Sequence, residues 1–188
     1  MRDAVPNIPV TVKHRIGINQ ETSVQATVAF LHDFVGTVAQ AGCDTFIVHA
    51  RNAWLKGLSP KENREVPPLR YELVAQLKAA FPQLSIVLNG GLNQVGSAMQ
   101  AASGLDGIML GRVAYHEPWK LREFHNAVFG TALDTSLEAR AQVWQHMLVY
   151  AVAQRQRGAH RRDGGRGLRA HRRRGQQRRH PARPLLPR

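Results

Sequence analysis

The chain has 188 residues, of which 43% are hydrophobic, and a formal net charge of +13 at neutral pH. This length fits one ordinary domain with a real core, and no apolar run approaches the ~18 residues that a membrane span requires. A single cysteine, Cys43, excludes an internal disulfide framework. We therefore expect a cytoplasmic protein that is neither exported nor attached to a membrane.

The positive charge is concentrated at one end of the sequence. Residues 155–188 contain 13 arginines and one acid, Asp163, whereas residues 1–154 contain 13 basic and 12 acidic residues. We expect 155–188 to form an arginine-rich disordered tail. This segment lacks lysine, β-branched and aromatic residues. For that reason we favour a frameshift as its origin over an RNA-binding arm, which remains the alternative.

Hydrophobic periodicity predicts strands that alternate with helices. The strands are predicted at 8–13, 45–50, 84–88 and 107–110. The helices are predicted at 21–41, 71–80, 93–102, 118–129 and 136–154, with Asn93 as a candidate cap of the third. This alternation predicts βαβ units and a parallel sheet. Four units are half of what a closed eight-stranded barrel requires.

Polar or glycine residues end or follow each predicted strand, at the end where α/β sheets place their sites. Taken singly, a solvated lysine, a histidine bonded to backbone or a tight glycine turn explains each one. Together on one edge of the sheet they favour a ligand site. The residues are Lys13, His49, Asn89, Gly90, Gly91, Gly111 and Arg112.

The pair Gly111-Arg112 opens the helix that follows the fourth predicted strand. Backbone N–H groups at a helix start bind phosphate, and a guanidinium adds a planar two-point contact. The loops after the last two strands of (β/α)8 enzymes are a frequent phosphate site. A phosphate-bearing ligand is therefore expected at this edge.

Several segments resemble the flavin-dependent tRNA-dihydrouridine synthases of the A type, from residue 5 to about 150. They are PVTVKHRIGI (9–18), FIVHARNAWLKGLSPKENREVPPL (46–69), LNGGL (88–92) and DGIMLGRVAYHEPW (106–119). The resemblance implies an α/β fold that is half of a (β/α)8 TIM barrel, its last four βα units, over residues 1–130. The start of an α-helical tRNA-binding region over 131–154 and the tail would follow.

The family reaction is the NADPH-linked, FMN-dependent reduction of the C5–C6 bond of D-loop uridines in tRNA. The resemblance implies that Lys13 and His49 contact the flavin ring system. It also implies FMN contacts for the third and fourth strand ends, with the ribityl-phosphate at Asn89, Gly90 and Gly91, and the phosphate at Gly111 and Arg112.

The loop residues Lys61 and Arg64 match positions that contact tRNA in the family. Cations on a surface loop are suited to hold RNA phosphates. The alternative is that both residues pair within the loop with Glu62 and Glu65. We keep both interpretations open at the level of the sequence.

The sequence departs from the family in lacking its proton-donor cysteine, which stands in an NVGCPS-like motif of the first half of the barrel. Cys43 precedes a predicted strand, at the end opposite the site, so we expect it to be structural. We therefore assign no catalytic residue and no metal ligand, and expect the chain alone to be inactive. A separate chain that supplies the first half of the barrel is one candidate partner.

Two other functions fit parts of the sequence. One is a different phosphate-ligand TIM-barrel enzyme, and the other is a non-catalytic RNA-binding protein that uses the tail. We also expect half a barrel to expose strand edges near 8–13 and 107–110. It should likewise expose barrel-interior side chains such as Ile47 and Ile108. Poor solubility or dimerisation through those edges would follow.

Overall fold

A computed structural model describes residues 8–18 and 23–155. It contains four strands, β1 (Thr11–Gly17), β2 (Thr45–Asn52), β3 (Ser85–Asn89) and β4 (Gly107–Met109). They form one parallel sheet in the order β1-β2-β3-β4. The predicted tail, apart from residue 155, and the predicted start of the first helix lie outside the described residues.

The helices are α1 (Val24–Gln40), α2 (Tyr71–Ala80), α3 (Val95–Ala101), α4 (Arg112–His116) and α5 (Lys120–Phe129). A sixth helix, α6, covers residues 137–155. The parallel α/β arrangement that the sequence predicts is thus confirmed, and it is consistent with a partial barrel. Within the described part of the chain, no helix is long and apolar enough to cross a membrane.

Local sequence explains where two of the helices begin. The Ser23 hydroxyl accepts a hydrogen bond from the Ala26 N–H at 3.1 Å, so serine caps α1. The predicted cap of α3, Asn93, is wrong: the helix is preceded by Gln94, whose side chain makes no capping bond. The short α4 begins directly after Gly111.

The core lies on one face of the sheet, beneath α1 and α2. Alternate strand residues point to the same face, and on β2 and β3 the residues that point to this one are fully buried: Phe46, Val48, Ile86 and Leu88. Leu31 and Val35 of α1 and Leu73, Val74 and Leu77 of α2 complete the same cluster. The residues between them on the strands face the other side and are half-exposed.

The amino end of the sheet carries structural contacts. Asp106 pairs with Lys78 at 2.8 Å and accepts the Ile86 N–H at 2.8 Å. The Cys43 thiol lies near the Val10 and Thr45 carbonyl oxygens, at 3.6 and 3.4 Å, and packs against the core. This placement agrees with a structural role for the only cysteine.

The chain divides into two compact units, with the boundary between Leu133 and Asp134. The described part of the second unit is α6 with its short lead-in. Its apolar side chains are largely exposed, among them Trp144, Met147 and Tyr150.

Candidate functional site

Register places one row of side chains across the open face of the sheet. Arg15 is paired with His49, His49 with Asn89, and Asn89 with Met109. Partners in parallel strands project to the same side, so these four side chains stand next to one another. Lys13 lies on the same side of β1, nearer its amino end than Arg15, and is paired with Ile47.

This row borders a cavity of ≈ 500 Å³ at the carboxyl ends of the strands. Of the nine residues that the sequence singled out, eight line it: Lys13, His49, Arg64, Asn89, Gly90, Gly91, Gly111 and Arg112. The ninth, Lys61, is exposed on the neighbouring loop and is not part of the lining. The predicted strand-end residues are therefore brought together in space.

Two details of the prediction for β1 are wrong. The strand runs over Thr11–Gly17 and not over 8–13, so Lys13 lies within the strand and does not follow it. The same extension brings Arg15 into the cavity lining, a residue to which the sequence gave no role. The signal was present as two cations spaced two residues apart, which a strand directs to one face.

The cavity is strongly cationic. Lys13, Arg15, Arg64 and Arg112 line it, against a single carboxylate from Glu117. Burial lowers the pKa of Lys13, and the charge of Arg15 lowers it further. An anionic ligand would neutralise this repulsion, so the electrostatics favour one.

The positive charges that surround the cavity also act on His49. Burial lowers the pKa of His49 to about 4, and the positive charges of Arg15, Lys13, Arg51 and Arg112 contribute after it. At neutral pH the imidazole is therefore uncharged. Its Nδ1 is buried and has no hydrogen-bond partner among the described residues.

The Gly90-Gly91 turn after β3 requires glycine. Both residues have positive φ, 108° and 69°, which side chains rarely adopt. A Cβ on Gly91 would lie 2.5 Å from Leu69 Cδ1, and one on Gly90 would lie 3.2 Å from the His49 ring. The Tyr71 hydroxyl donates to the Gly90 carbonyl at 2.7 Å and fixes the turn.

The end of β3 is also tied to the end of β4. Asn89 is 8% exposed and donates its Nδ2–H to the Met109 carbonyl at 2.8 Å. This bond holds the two strand ends in register at the cavity floor. Gly111 follows two residues later, with open space where a Cβ would stand.

Arg112 is not free in the structure. Its guanidinium forms an ion pair with Glu65 of the long loop after β2, and both side chains are about half-exposed. An exposed pair of this kind stabilises a protein by about 1 kcal/mol or less. The ion pair does, however, engage Arg112, the cation that the sequence analysis assigns to a phosphate.

The loop of residues 53–70 has its own internal structure. The Ser59 N–H donates to Glu62 Oε2 at 2.8 Å and the Glu62 N–H donates to Ser59 Oγ at 3.3 Å. This reciprocal Ser59–Glu62 pair leads into a single 3-10 turn over Glu62–Arg64, whose N-cap residue, Lys61, makes no side-chain capping bond. The hydrogen bonds from Ser59 lower the pKa of Glu62.

The predicted alternative for Lys61 and Arg64, pairing within the loop, is not what the structure contains. Glu62 bonds to Ser59 and Glu65 pairs with Arg112. None of the ion pairs between described residues includes Lys61 or Arg64. Their charges are thus available to a partner.

The described residues contain no group of three or more histidine, cysteine, aspartate or glutamate side chains suited to a metal ion. Cations, glycine turns and an unpartnered imidazole surround the cavity instead. The chemistry of this donor set suits an oxyanion rather than a cation.

A parallel sheet with a cationic cavity at its carboxyl ends is consistent with a partial (β/α)-barrel. Residues 1–179 match the family model described as dihydrouridine synthase, and the chain belongs to this family of oxidoreductases. The match extends beyond residue 150, where we expected the resemblance to end.

Curated relatives agree with the family. The chain is 51% identical over 158 residues to a tRNA-dihydrouridine(20/20a) synthase of Pseudomonas putida, covering 84% of this chain and 45% of that protein. The Pseudomonas syringae protein of the same name is 58% identical over 131 residues, 70% of this chain and 38% of that protein. The Vibrio cholerae one is 46% identical over 158 residues, 84% and 46%. The chain thus spans less than half the length of these relatives.

Proposed function

We propose that this chain supplies the FMN-phosphate site and a tRNA-contacting loop of a tRNA-dihydrouridine synthase. The enzyme would reduce D-loop uridine in tRNA to 5,6-dihydrouridine, with NADPH as the reductant. The observation that supports the proposal best is the cavity itself, where eight residues implied by the family resemblance converge. Membership of the family favours this function over that of another phosphate-binding barrel enzyme.

The residues around the cavity fit FMN on three observations. Its volume, ≈ 500 Å³, lies in the range of ~300–1,000 Å³ typical of cofactor sites. Its cations exceed its carboxylates, as a phosphate ester requires. The buried His49 Nδ1 has no partner among described residues, so a polar edge of a ring would satisfy it.

Each part of the cavity would hold a different part of the cofactor. Lys13 and His49 would contact the ring system, and the turn at Asn89-Gly90-Gly91 would follow the ribityl chain. Gly111 and Arg112 would hold the phosphate, since open space at Gly111 lets a ligand approach the backbone. Bound FMN supplies two-electron transfer from NADPH to the uracil C5–C6 bond.

The loop cations would act on the RNA. Lys61 and Arg64 make no ion pair within the described part of the chain, and Arg64 lines the cavity. Phosphate contacts position a nucleic acid, and an enzyme that modifies a base must extract it first. These two residues would therefore hold the D-loop backbone beside the cavity.

The proton for the uracil ring would come from outside this sequence. Cys43 precedes His49 by six residues, on the order of 20 Å at ~3.3 Å per extended residue, and it lies at the opposite end of β2. We propose that the first half of the barrel supplies the donor, from the same longer protein or from a separate chain. This chain alone should then form no dihydrouridine.

Substitution at Gly111 tests the cofactor site. Gly111→Ala adds a methyl group where the protein leaves open space, so the fold should tolerate it. FMN affinity, measured by quenching of flavin fluorescence, should weaken by about tenfold, roughly 1.4 kcal/mol. Gly96→Ala is the control, because Gly96 also has open space but lies on α3 outside the cavity lining. Equal affinities in both variants would remove Gly111 from the phosphate site.

Purified protein also separates the two enzyme classes. Yellow protein that releases FMN on denaturation supports the proposal, whereas colourless protein that retains a sugar phosphate supports a different barrel enzyme.

The proposed source of the proton is tested by activity, for which tRNA from a synthase-deficient strain is analysed by mass spectrometry. Dihydrouridine should be absent with this chain alone and present when the first half of the Pseudomonas putida relative is co-expressed. Dihydrouridine formed by the chain alone would refute the external proton donor.

A further inference from the structure

The side chain of Asn63 joins the two limbs of the loop that follows β2. Its Oδ1 accepts the Trp54 N–H at 3.1 Å, and its Nδ2 donates to the Trp54 carbonyl. The Asn63 side-chain amide thus bonds both the N–H and the carbonyl group of the Trp54 backbone, as a residue of a neighbouring strand can. Asn63 is half-buried, so water competes only partly for these bonds.

Arg15 fastens this bridge to the sheet. Its Nη1 donates to the Asn63 carbonyl and to the Asn52 carbonyl, both at 2.8 Å, and lies 3.2 Å from Asn63 Oδ1. Arg15 belongs to β1 and Asn52 ends β2. Asn63 therefore connects the middle of the loop to two strands at the cavity edge.

The residue after Asn63 faces a repulsive field. Arg64 lines the cavity, and its charge contributes, after burial and Arg51, to the lowered pKa of Arg15. No ion pair between described residues neutralises Arg64. Like charges repel, so movement of Arg64 away from Arg15 is favoured unless the loop backbone is held. The bonds of Asn63 supply that restraint.

We propose that Asn63 is a positioning residue, which holds the segment 53–66 so that Arg64 faces the cavity and can bind an RNA phosphate. Fixing this segment in advance removes part of the ordering cost from RNA binding. The inference rests on the proposed tRNA function. It assigns to Asn63 a role that requires no contact between Asn63 and the RNA or the cofactor.

The chain contains a matched control for a purely structural amide. Asn126 pairs with the Leu133 backbone in the same manner, with Oδ1 accepting the Leu133 N–H at 2.8 Å and Nδ2 donating to the Leu133 carbonyl at 2.9 Å. It lies on α5 and does not line the cavity. Asn126→Ala therefore removes two equivalent hydrogen bonds at a position that is distant in sequence from the loop.

Hydrogen exchange of the full chain tests the ordering. Asn63→Ala should reduce the protection of peptides from 53–66, while peptides from β2 and β3 keep theirs. Asn126→Ala should leave 53–66 unchanged. Asn63→Asp keeps an oxygen for the Trp54 N–H and for Arg15, and should restore part of the protection. Unchanged exchange of 53–66 in Asn63→Ala would overturn the proposal.

Affinity for an unmodified tRNA transcript tests the consequence, with homopolymer RNA added to saturate the arginine-rich segment 155–188. Asn63→Ala should bind about tenfold more weakly, roughly 1.4 kcal/mol, and Asn126→Ala as the wild type does. Equal binding by both variants would refute the positioning role. If the wild type itself binds no transcript, the tRNA function fails and so does the purpose inferred for Asn63. The exchange experiment still decides whether Asn63 orders the loop.

Discussion

His49 is the residue on which the charges of the cavity act most clearly. Four cationic side chains, after burial, lower its pKa to about 4 from an ordinary 6.5. The depressed pKa means that the unfolded state binds a proton that the folded state excludes between these two values. Stability should therefore fall as the pH falls from about 6.5 towards 4. His14, whose pKa is lowered mainly by burial, contributes in the same direction.

We predict that His49 titrates near pH 4 in the free protein and at higher pH with FMN bound. A phosphate dianion would offset the repulsion from Arg15 and Lys13 and stabilise the imidazolium. NMR titration of the imidazole protons measures both values. His49→Gln should also reduce the loss of stability between pH 7 and 5, measured by urea unfolding. A pKa near 6.5 in the free protein would contradict the cationic cavity.

The residues whose place beside the cavity could be predicted from sequence are those at strand ends and in glycine turns. Asn89, Gly90 and Gly91 carry local signals, because a polar residue or a positive-φ glycine marks the point where a strand stops. His49 was expected to end β2, whereas the strand continues to Asn52. Arg15 carries no such signal. Its place in the cavity depends on how far β1 extends and on its pairing with β2, which only the assembled sheet determines.

At the scale of elements, the loop of residues 53–70 is more ordered than a polar loop of its length suggests. The Ala53 N–H donates to the Gly17 carbonyl at 2.8 Å, and the Arg70 N–H donates to the Ala50 carbonyl at 2.8 Å. The buried Arg51 also donates to the Pro67 carbonyl. Both ends of the loop are therefore fixed to the sheet, which presents its cations at a defined place.

The Glu65–Arg112 ion pair gives a prediction for this loop. Glu65→Gln releases Arg112 and removes one negative charge beside the cavity, so FMN should bind a few-fold more tightly and with a steeper salt dependence. Stability should change by less than about 1 kcal/mol, since the pair is exposed. Flavin titrations at two salt concentrations measure the effect.

Glu72→Gln is the control for charge alone, because Glu72 lies in the first turn of α2 and does not line the cavity. It should leave the FMN affinity nearly unchanged. Weaker binding in Glu65→Gln would show the opposite role for Glu65, in which the carboxylate orients Arg112 for the phosphate. A change of FMN affinity in either direction would show that Glu65 of the loop acts on the cofactor site through Arg112.

Strand existence could be predicted from local pattern, but strand register could not. Ile47 and Ile108 were both expected to face the barrel interior. Ile47 does lie on the open face, beside Lys13 and Val87. Ile108 instead pairs with the buried Leu88 and packs against the core beneath the helices. A shift of one residue exchanges the two faces, and three-residue β4 gives too short a pattern to determine it.

At the scale of the whole molecule, the described sheet has two free edges. Among the described strands, β1 pairs only with β2 and β4 pairs only with β3, so each presents unpaired N–H and C=O groups. Helices α1 and α2 cover one face, and Ile47 and Val87 remain half-exposed on the other. Open edges beside an apolar face favour association with further strands.

We predict that the isolated chain is poorly soluble or self-associates through this face and its edges. Ile47→Lys places a charge on the open face and should shift the protein towards monomer in size-exclusion chromatography with light scattering. Met147→Lys is the control, because it places the same charge on the exposed apolar side of α6. Relief of association by Met147→Lys alone would assign it to α6 instead. A wild-type chain that is monomeric and melts cooperatively would contradict the prediction outright, since unpaired strand edges beside a half-exposed apolar face should favour association.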